Sequence, residues 1–120
     1  MTPEAAIQSF LSSFDIPAYA AASTPAEAEF PYITYNLVIG DFISGDTPMQ
    51  IDLWYYTDSE KEINAKAREI ADKIGLGGVM LQHDNGSIWV KRGNPWCQSV
   101  VNESNEMVKR RYINIDLEYL

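Results

Sequence analysis

Apolar residues recur at two different periods along the chain, and the switches between them divide it into elements. Ile7, Phe10, Leu11 and Phe14 fall at helical spacing behind Thr2-Pro3-Glu4, which supplies an N-cap, an N1 proline and an acid in the first turn. A helix over about residues 3–14 is predicted, and Ile16-Pro17 stops it. From Ala18 to Glu29 the chain is rich in Ala, Ser, Thr and Pro and has no periodic apolar face, as expected of a loop or mobile arm.

From residue 33 to 39 the period drops to two: Ile33, Tyr35, Leu37 and Ile39 alternate with polar or smaller neighbours, the pattern of a half-buried strand. A second strand is predicted from about Met49 to Tyr56, after the hairpin-like connection "GDFISGDTP". Phe42 and Ile43 stand out there as apolar loop residues, either folded back or forming a contact surface. At "TDSEKE" the period returns to that of a helix, with Ile63, Ala67, Ile70, Ala71 and Ile74 on one stripe and Gly75 suited to the C-terminal position. Thr57 with Glu60, or Ser59 with Glu62, has capping-box spacing, so the polar cluster reads as a capped joint.

Two strand-like runs then flank Asn85-Gly86, a pair preferred by type I′ turns. A further strand from about Trp96 to Val101 is expected to pair with the closing run "RRYINIDLEYL", where Ile113, Ile115, Leu117 and Tyr119 alternate with Asn114, Asp116 and Glu118. The predicted class is α+β: a mostly antiparallel sheet with two main helices packed on one face, in the order α-β-β-α-β-β-β-β. One domain is expected, with residues 1–29 as helix plus Ala-rich loop or arm and residues 30–120 as sheet and central helix.

Composition fits a folding domain: 46% of the 120 residues are hydrophobic and 12% aromatic. A single cysteine, Cys97, excludes an internal disulfide and a cysteine-based zinc site and gives no sign of an oxidising compartment. The first residues lack a basic n-region and no apolar run approaches the ~18 residues of a membrane span, so neither export nor insertion is expected. Net charge is -8, unevenly spread: residues 1–60 contain no Lys or Arg against nine acids, whereas residues 61–120 hold nine basic residues against eight acids. Such a chain repels phosphate backbones, and tight nucleic-acid binding would need Lys91, Arg92 and Lys109 to Arg111 to form one patch.

Candidate chemistry is sparse. His83 is the one histidine, and "HDNG" reads more simply as hydrogen bonding at a hairpin end than as a triad or metal site. Cys97 beside Trp96 reads as a small apolar filler. "GLGG", Gly75 to Gly78, follows a helix, whereas phosphate-binding glycine loops precede one. Asp52 and Asp116 could face each other across strands as an acid–base pair, but alternation also puts acids on any solvated sheet face. Trp54, Tyr56 and Trp89 are expected on the face opposite Ile51, Leu53 and Tyr55, covered either within the domain or by another subunit.

"IPAY" after the first helix, "FPYITY", "MQIDLWYYT", "GSIWVKRGNPW" and "RRYINIDLEYL" together resemble the small tail terminator and head-to-tail joining proteins of tailed bacteriophages and prophages, over roughly residues 16–120. The resemblance lies in element order and aromatic placement. It implies a structural protein, not an enzyme, without catalytic residues, cofactor or metal. Such a protein assembles as a ring, commonly hexameric, on the end of the tail tube and joins it to head connector proteins, in the bacterial cytoplasm during assembly and then in the virion neck. The matching positions that could serve subunit contacts are Phe42, Ile43, Trp54, Tyr56, Trp89, Trp96, Arg110, Arg111 and Tyr112. A ring needs unlike surfaces to meet, and the uneven charge suggests an acidic first half set against a neighbour's basic cluster. Two other readings stay open: a small-molecule-binding or enzymatic domain with an aromatic pocket near Trp54 and Trp89, and a nucleic-acid-binding module.

Overall fold

Thr2 opens the fold as its sequence predicts. Its hydroxyl oxygen accepts the Ala5 amide at 3.1 Å, and helix α1 (Pro3–Leu11) buries Ala6, Ile7, Phe10 and Leu11 before a 3-10 turn, Ser12–Phe14. The computed structural model describes residues 1–40, 45–101 and 104–120, so Phe42 and Ile43 lie outside the described residues. Strands β1 (Ala18–Ala20), β2 (Tyr32–Tyr35) and β3 (Asp46–Tyr56) follow, then helix α2 (Lys61–Ile74) and strands β4 (Val79–His83), β5 (Gly86–Val100) and β6 (Val108–Tyr119). They form one six-stranded sheet in the order β1-β2-β3-β6-β5-β4, antiparallel at every described pairing except β1 with β2. The protein is therefore α+β, with both helices on the same face of the sheet.

One stripe of each element builds the core. Ile33 of β2, Ile51 and Leu53 of β3 and Ile113, Ile115 and Leu117 of β6 are fully buried beneath Ile63, Ile70 and Ile74 of α2. Each such side chain contributes about 1.5–3 kcal/mol on leaving water. Helix α1 bridges the two edges of the sheet: its Gln8 amide donates to the Ala18 carbonyl at 2.8 Å and its Gln8 carbonyl oxygen accepts from the Tyr35 hydroxyl, while the helix also packs on β4.

Four local expectations change. The Ala-rich segment is not a free arm throughout, because Ala18 to Ala20 pair in parallel with Ile33 to Tyr35; three residues are too few to display a period. Strand β2 stops at Tyr35 although the alternation continues to Ile39. Gln50 and Pro48 aim their backbones at the same neighbour; the Gln50 carbonyl accepts the Asn36 amide at 3.4 Å, but Pro48 has no N–H for the next link. The Val38 carbonyl instead accepts the Tyr119 hydroxyl at 2.6 Å, and Leu37 and Ile39 stay exposed.

The hairpin at Asn85-Gly86 forms one residue earlier than its signal. His83 pairs with Gly86, so Asp84 and Asn85 are the central residues, and neither has positive φ. Gly86 serves close approach, since a Cβ there would collide with the Leu120 carbonyl. Finally, the two strands expected between residues 86 and 101 are one strand with an irregularity: partners step from Arg92–Ile115 to Cys97–Ile113, five residues against two. Gly93 allows this, because its missing Cβ would lie 2.7 Å from the Asn114 carbonyl oxygen. No described helix is long and apolar enough to cross a membrane.

Candidate functional site

With the helices on one face, the even-numbered positions of β2, β3 and β6 form the other, which no described helix covers. The strand registers arrange it in rows. At one end Tyr32, Trp54 and Arg110 lie side by side, then Thr34, Asp52 and Tyr112; at the other end lie Asp46, Glu118, Trp89 and Met80. Gln50 and Asn114 occupy the middle.

The first end is aromatic. Tyr32 stacks on Trp54 with centroids 6.2 Å apart and planes at 23°, Phe30 lies 5.2 Å from Tyr32 and 5.7 Å from Tyr56, and Tyr19 meets Tyr32 edge-on at 6.0 Å. Such contacts fix ring positions beyond simple area burial. The Trp54 indole donates to the Thr34 hydroxyl at 2.9 Å, and the Arg110 guanidinium lies 4.7 Å over the Trp54 ring while donating to Asp52 at 3.0 Å. Burial, with Tyr19 adding to it, raises the pKa of Tyr32, so its phenol stays neutral. Phe30 and Tyr56 keep 38% and 54% of their surface exposed, which leaves this end an apolar platform.

The second end repeats the device with lysine. Lys91 lies 4.5 Å over the Trp89 ring and donates to Asp46 at 2.5 Å and Glu118 at 3.2 Å. Its pKa is raised, chiefly by the hydrogen bond to Asp46. Trp54 and Trp89 thus sit at opposite ends of the face and do not enclose a common pocket.

The remaining sequence candidates separate by parity. Tyr112 lies beside Asp52 and Gln98 on the open face. Arg111, expected at a subunit contact, is on the helix face, 5% exposed, where it donates to Asn64 at 3.1 Å and to Glu60. It ties the start of α2 to β6 and is taken up within the domain. Glu60 answers to this contact: the Arg111 hydrogen bond holds its carboxyl below the usual range. The capping box consequently does not form; the Ser59 hydroxyl accepts the Lys61 amide and the Thr57 hydroxyl the Ser59 amide, both at 3.1 Å, and Glu60 makes no cap. Trp96 and Cys97 line a groove of about 290 Å³ with Asn64, Ala67, Arg68 and Ala71 on the helix side. Burial pushes the Cys97 thiol up, as for an apolar filler.

The acid–base pairing of Asp52 and Asp116 is overturned by the register, which sets Asp52 against Tyr112 and Asp116 against Pro48. His83 accepts the Asn85 amide at 3.3 Å through Nδ1, and Asp84 pairs with the Met1 amine and not with the imidazole. The uneven charge also resolves inside the domain. Because β6 lies beside β3, Arg110 pairs with Asp52 and Arg111 with Glu60, while Lys91 pairs with Asp46. Arg92 donates to the Ala71 carbonyl at 2.9 Å and Lys109 to that of Glu106. These basic residues therefore do not gather into one free patch.

Sequence reasoning missed Tyr19, Phe30 and Tyr32 as part of the platform, although Tyr32 shares the parity of Trp54's neighbour Thr34 and could have been read from it. It also missed Leu76, which is 97% exposed between glycines after α2. A large apolar residue in a loop otherwise without side chains was the available signal. No protein-family model matches the chain, and a search of curated proteins finds no match.

Proposed function

We propose that the chain is a structural subunit of a phage or prophage tail, a tail terminator or head–tail joining protein that works by contact. It assembles as a ring, with six copies as the working number, that caps the tail tube and meets the head connector. This takes place in the cytoplasm of the bacterial host before the ring becomes part of the virion. The observation that carries the reading is the uncovered sheet face with its exposed aromatic platform around Trp54, Phe30 and Tyr56. Apolar surface of this kind, rimmed by charge, marks protein contacts.

Internal pairing of Arg110 and Arg111 weakens the idea that they reach a neighbour's acids, and it favours contacts led by aromatic and aliphatic side chains. Electron microscopy and native mass measurement, with the protein alone and mixed with its cognate tail tubes, test the reading. Rings, free or seated on tube ends, are expected. A protein that stays monomeric and leaves tubes uncapped would refute it.

A further inference from the structure

Resting on that reading, the geometry points to the surfaces that meet between neighbouring copies: the Leu76 loop of one copy seats in the Tyr19–Glu29 cleft of the next. The loop is held, not frayed. The Gly75 amide donates to the Ala71 carbonyl at 2.9 Å, the Trp89 indole donates to the Gly77 carbonyl at 2.8 Å, and a Cβ on Gly78 would collide with Trp89. Three glycines are thus clipped down around one side chain, and that side chain, Leu76, is presented to solvent at 97% exposure. Met80, 48% exposed, extends the apolar surface on the edge strand β4. Lys73, in the last turn of α2, is exposed and lines a cavity with Met80, its ammonium 5.7 Å over the Phe14 ring.

The opposite edge of the sheet offers the complement. Pro17, Tyr19, Pro25 and Ala28 line a cleft of about 320 Å³ together with Glu27 and Glu29. Among the described residues neither carboxylate, nor Lys73, belongs to an ion pair. An apolar knob beside a cation without a described carboxylate partner on one edge matches an apolar cleft beside two acids without a described cationic partner on the other. The two surfaces are unlike, so the contact is head-to-tail and closes into a ring when the rotation per copy permits. Along the strands they stand apart by the distance from Tyr112 to Glu118, about 20 Å at ~3.3 Å per residue, which sets a diagonal direction of travel around the ring.

The test measures assembly of the full chain by native mass and electron microscopy across concentration, with and without cognate tubes. Leu76→Asp is expected to raise the concentration for half-assembly about tenfold or more while leaving thermal melting unchanged; Lys73→Glu is expected to raise it as much with a small loss of melting temperature, because it also gives up the contact with Phe14 and a cation at the C-terminus of α2. Adding Glu27→Lys and Glu29→Lys to Lys73→Glu is expected to restore assembly. If the unaltered protein forms rings and these variants match it, the contact is wrong and the ring reading stands. Variants that keep their rings but lose tube capping would assign the loop to the tube protein and overturn the inference. Absence of any assembly by the unaltered protein would sink the ring reading as well.

Discussion

Arg110 and Arg111 are adjacent in sequence and have opposite fates, because a strand turns successive side chains to opposite faces. The odd positions Ile113, Ile115 and Leu117 already marked the helix side, so the inward course of Arg111 was legible in the same alternation that predicted the strand. Its partners were not, since Glu60 and Asn64 are brought to it only by the packing of α2. Replacing Arg111 by Met removes bonds from a nearly buried guanidinium and is expected to cost about 2 kcal/mol in urea unfolding, with assembly of the folded fraction unchanged. Glu60 adds a sign: its folded pKa is depressed, so its stabilisation is present at neutral pH and lost as pH falls through the folded value. Arg111→Met should therefore flatten the acid limb of the stability profile. Tyr119 works at the other limb. Burial, with the Glu4 charge adding to it, pushes its phenol up to about 12. Between the unfolded value near 10 and that point the unfolded chain loses the proton first, so stability falls as pH rises. Tyr119→Phe should reduce that slope, leaving the part that Tyr32, Tyr35 and Tyr55 contribute with the same sign, as read from melting temperatures between about pH 9 and 11.

Elements were predicted well where a period runs for several residues and poorly where a single backbone group decides. Helices α1 and α2 and strands β3 and β6 announce themselves through repeated apolar spacing. Strand β2 ends early because Pro48, on the neighbouring strand, lacks one N–H, a cause thirteen residues away in sequence from Tyr35. The long strand β5 looked like two because Gly93 and Pro95 interrupt its pattern; its pairing to β6 resumes beyond them at Cys97 in a shifted register. The start of α2 shows how a correct residue class can be assigned the wrong bonds. Thr57 and Ser59 do satisfy backbone amides, but each serves the residue two positions on, while Glu60 turns to Arg111. Replacing both hydroxyl residues by Ala is expected to lower stability by about 1 kcal/mol, somewhat less than two full caps, in chemical denaturation. Ring formation by the double variant should match that of the unaltered protein; a loss of assembly at unchanged stability would return this joint to the functional surface.

For the whole molecule, a -8 chain with all its basic residues in the second half suggested attraction between copies, and the sheet order instead brings the two halves together within one copy. Sequence order cannot reveal this, because β3 and β6 become neighbours only after the chain has passed through α2, β4 and β5. What the fold leaves unmatched is chiefly apolar: the open face around Trp54 and the Leu76 loop. Folding and assembly should therefore depend on different sets of large side chains. Leu53 is fully buried, so Leu53→Ala is expected to cost about 2–5 kcal/mol of stability through the cavity it leaves. Phe30 and Tyr56, whose rings meet at a tilt in the platform yet keep much of their surface in water, each stabilise the monomer less. Phe30→Ser and Tyr56→Ser should each lower the monomer's stability in urea by only about 1 kcal/mol, because partly exposed positions lose only part of their transfer free energy. The same pair should weaken self-assembly or tube capping about tenfold or more, since aromatic anchors at contact surfaces carry a large share of binding energy. Denaturation of the isolated subunit and native mass measurement of its assemblies separate the two effects. A variant that unfolds easily but assembles normally once folded would identify the platform as part of the core.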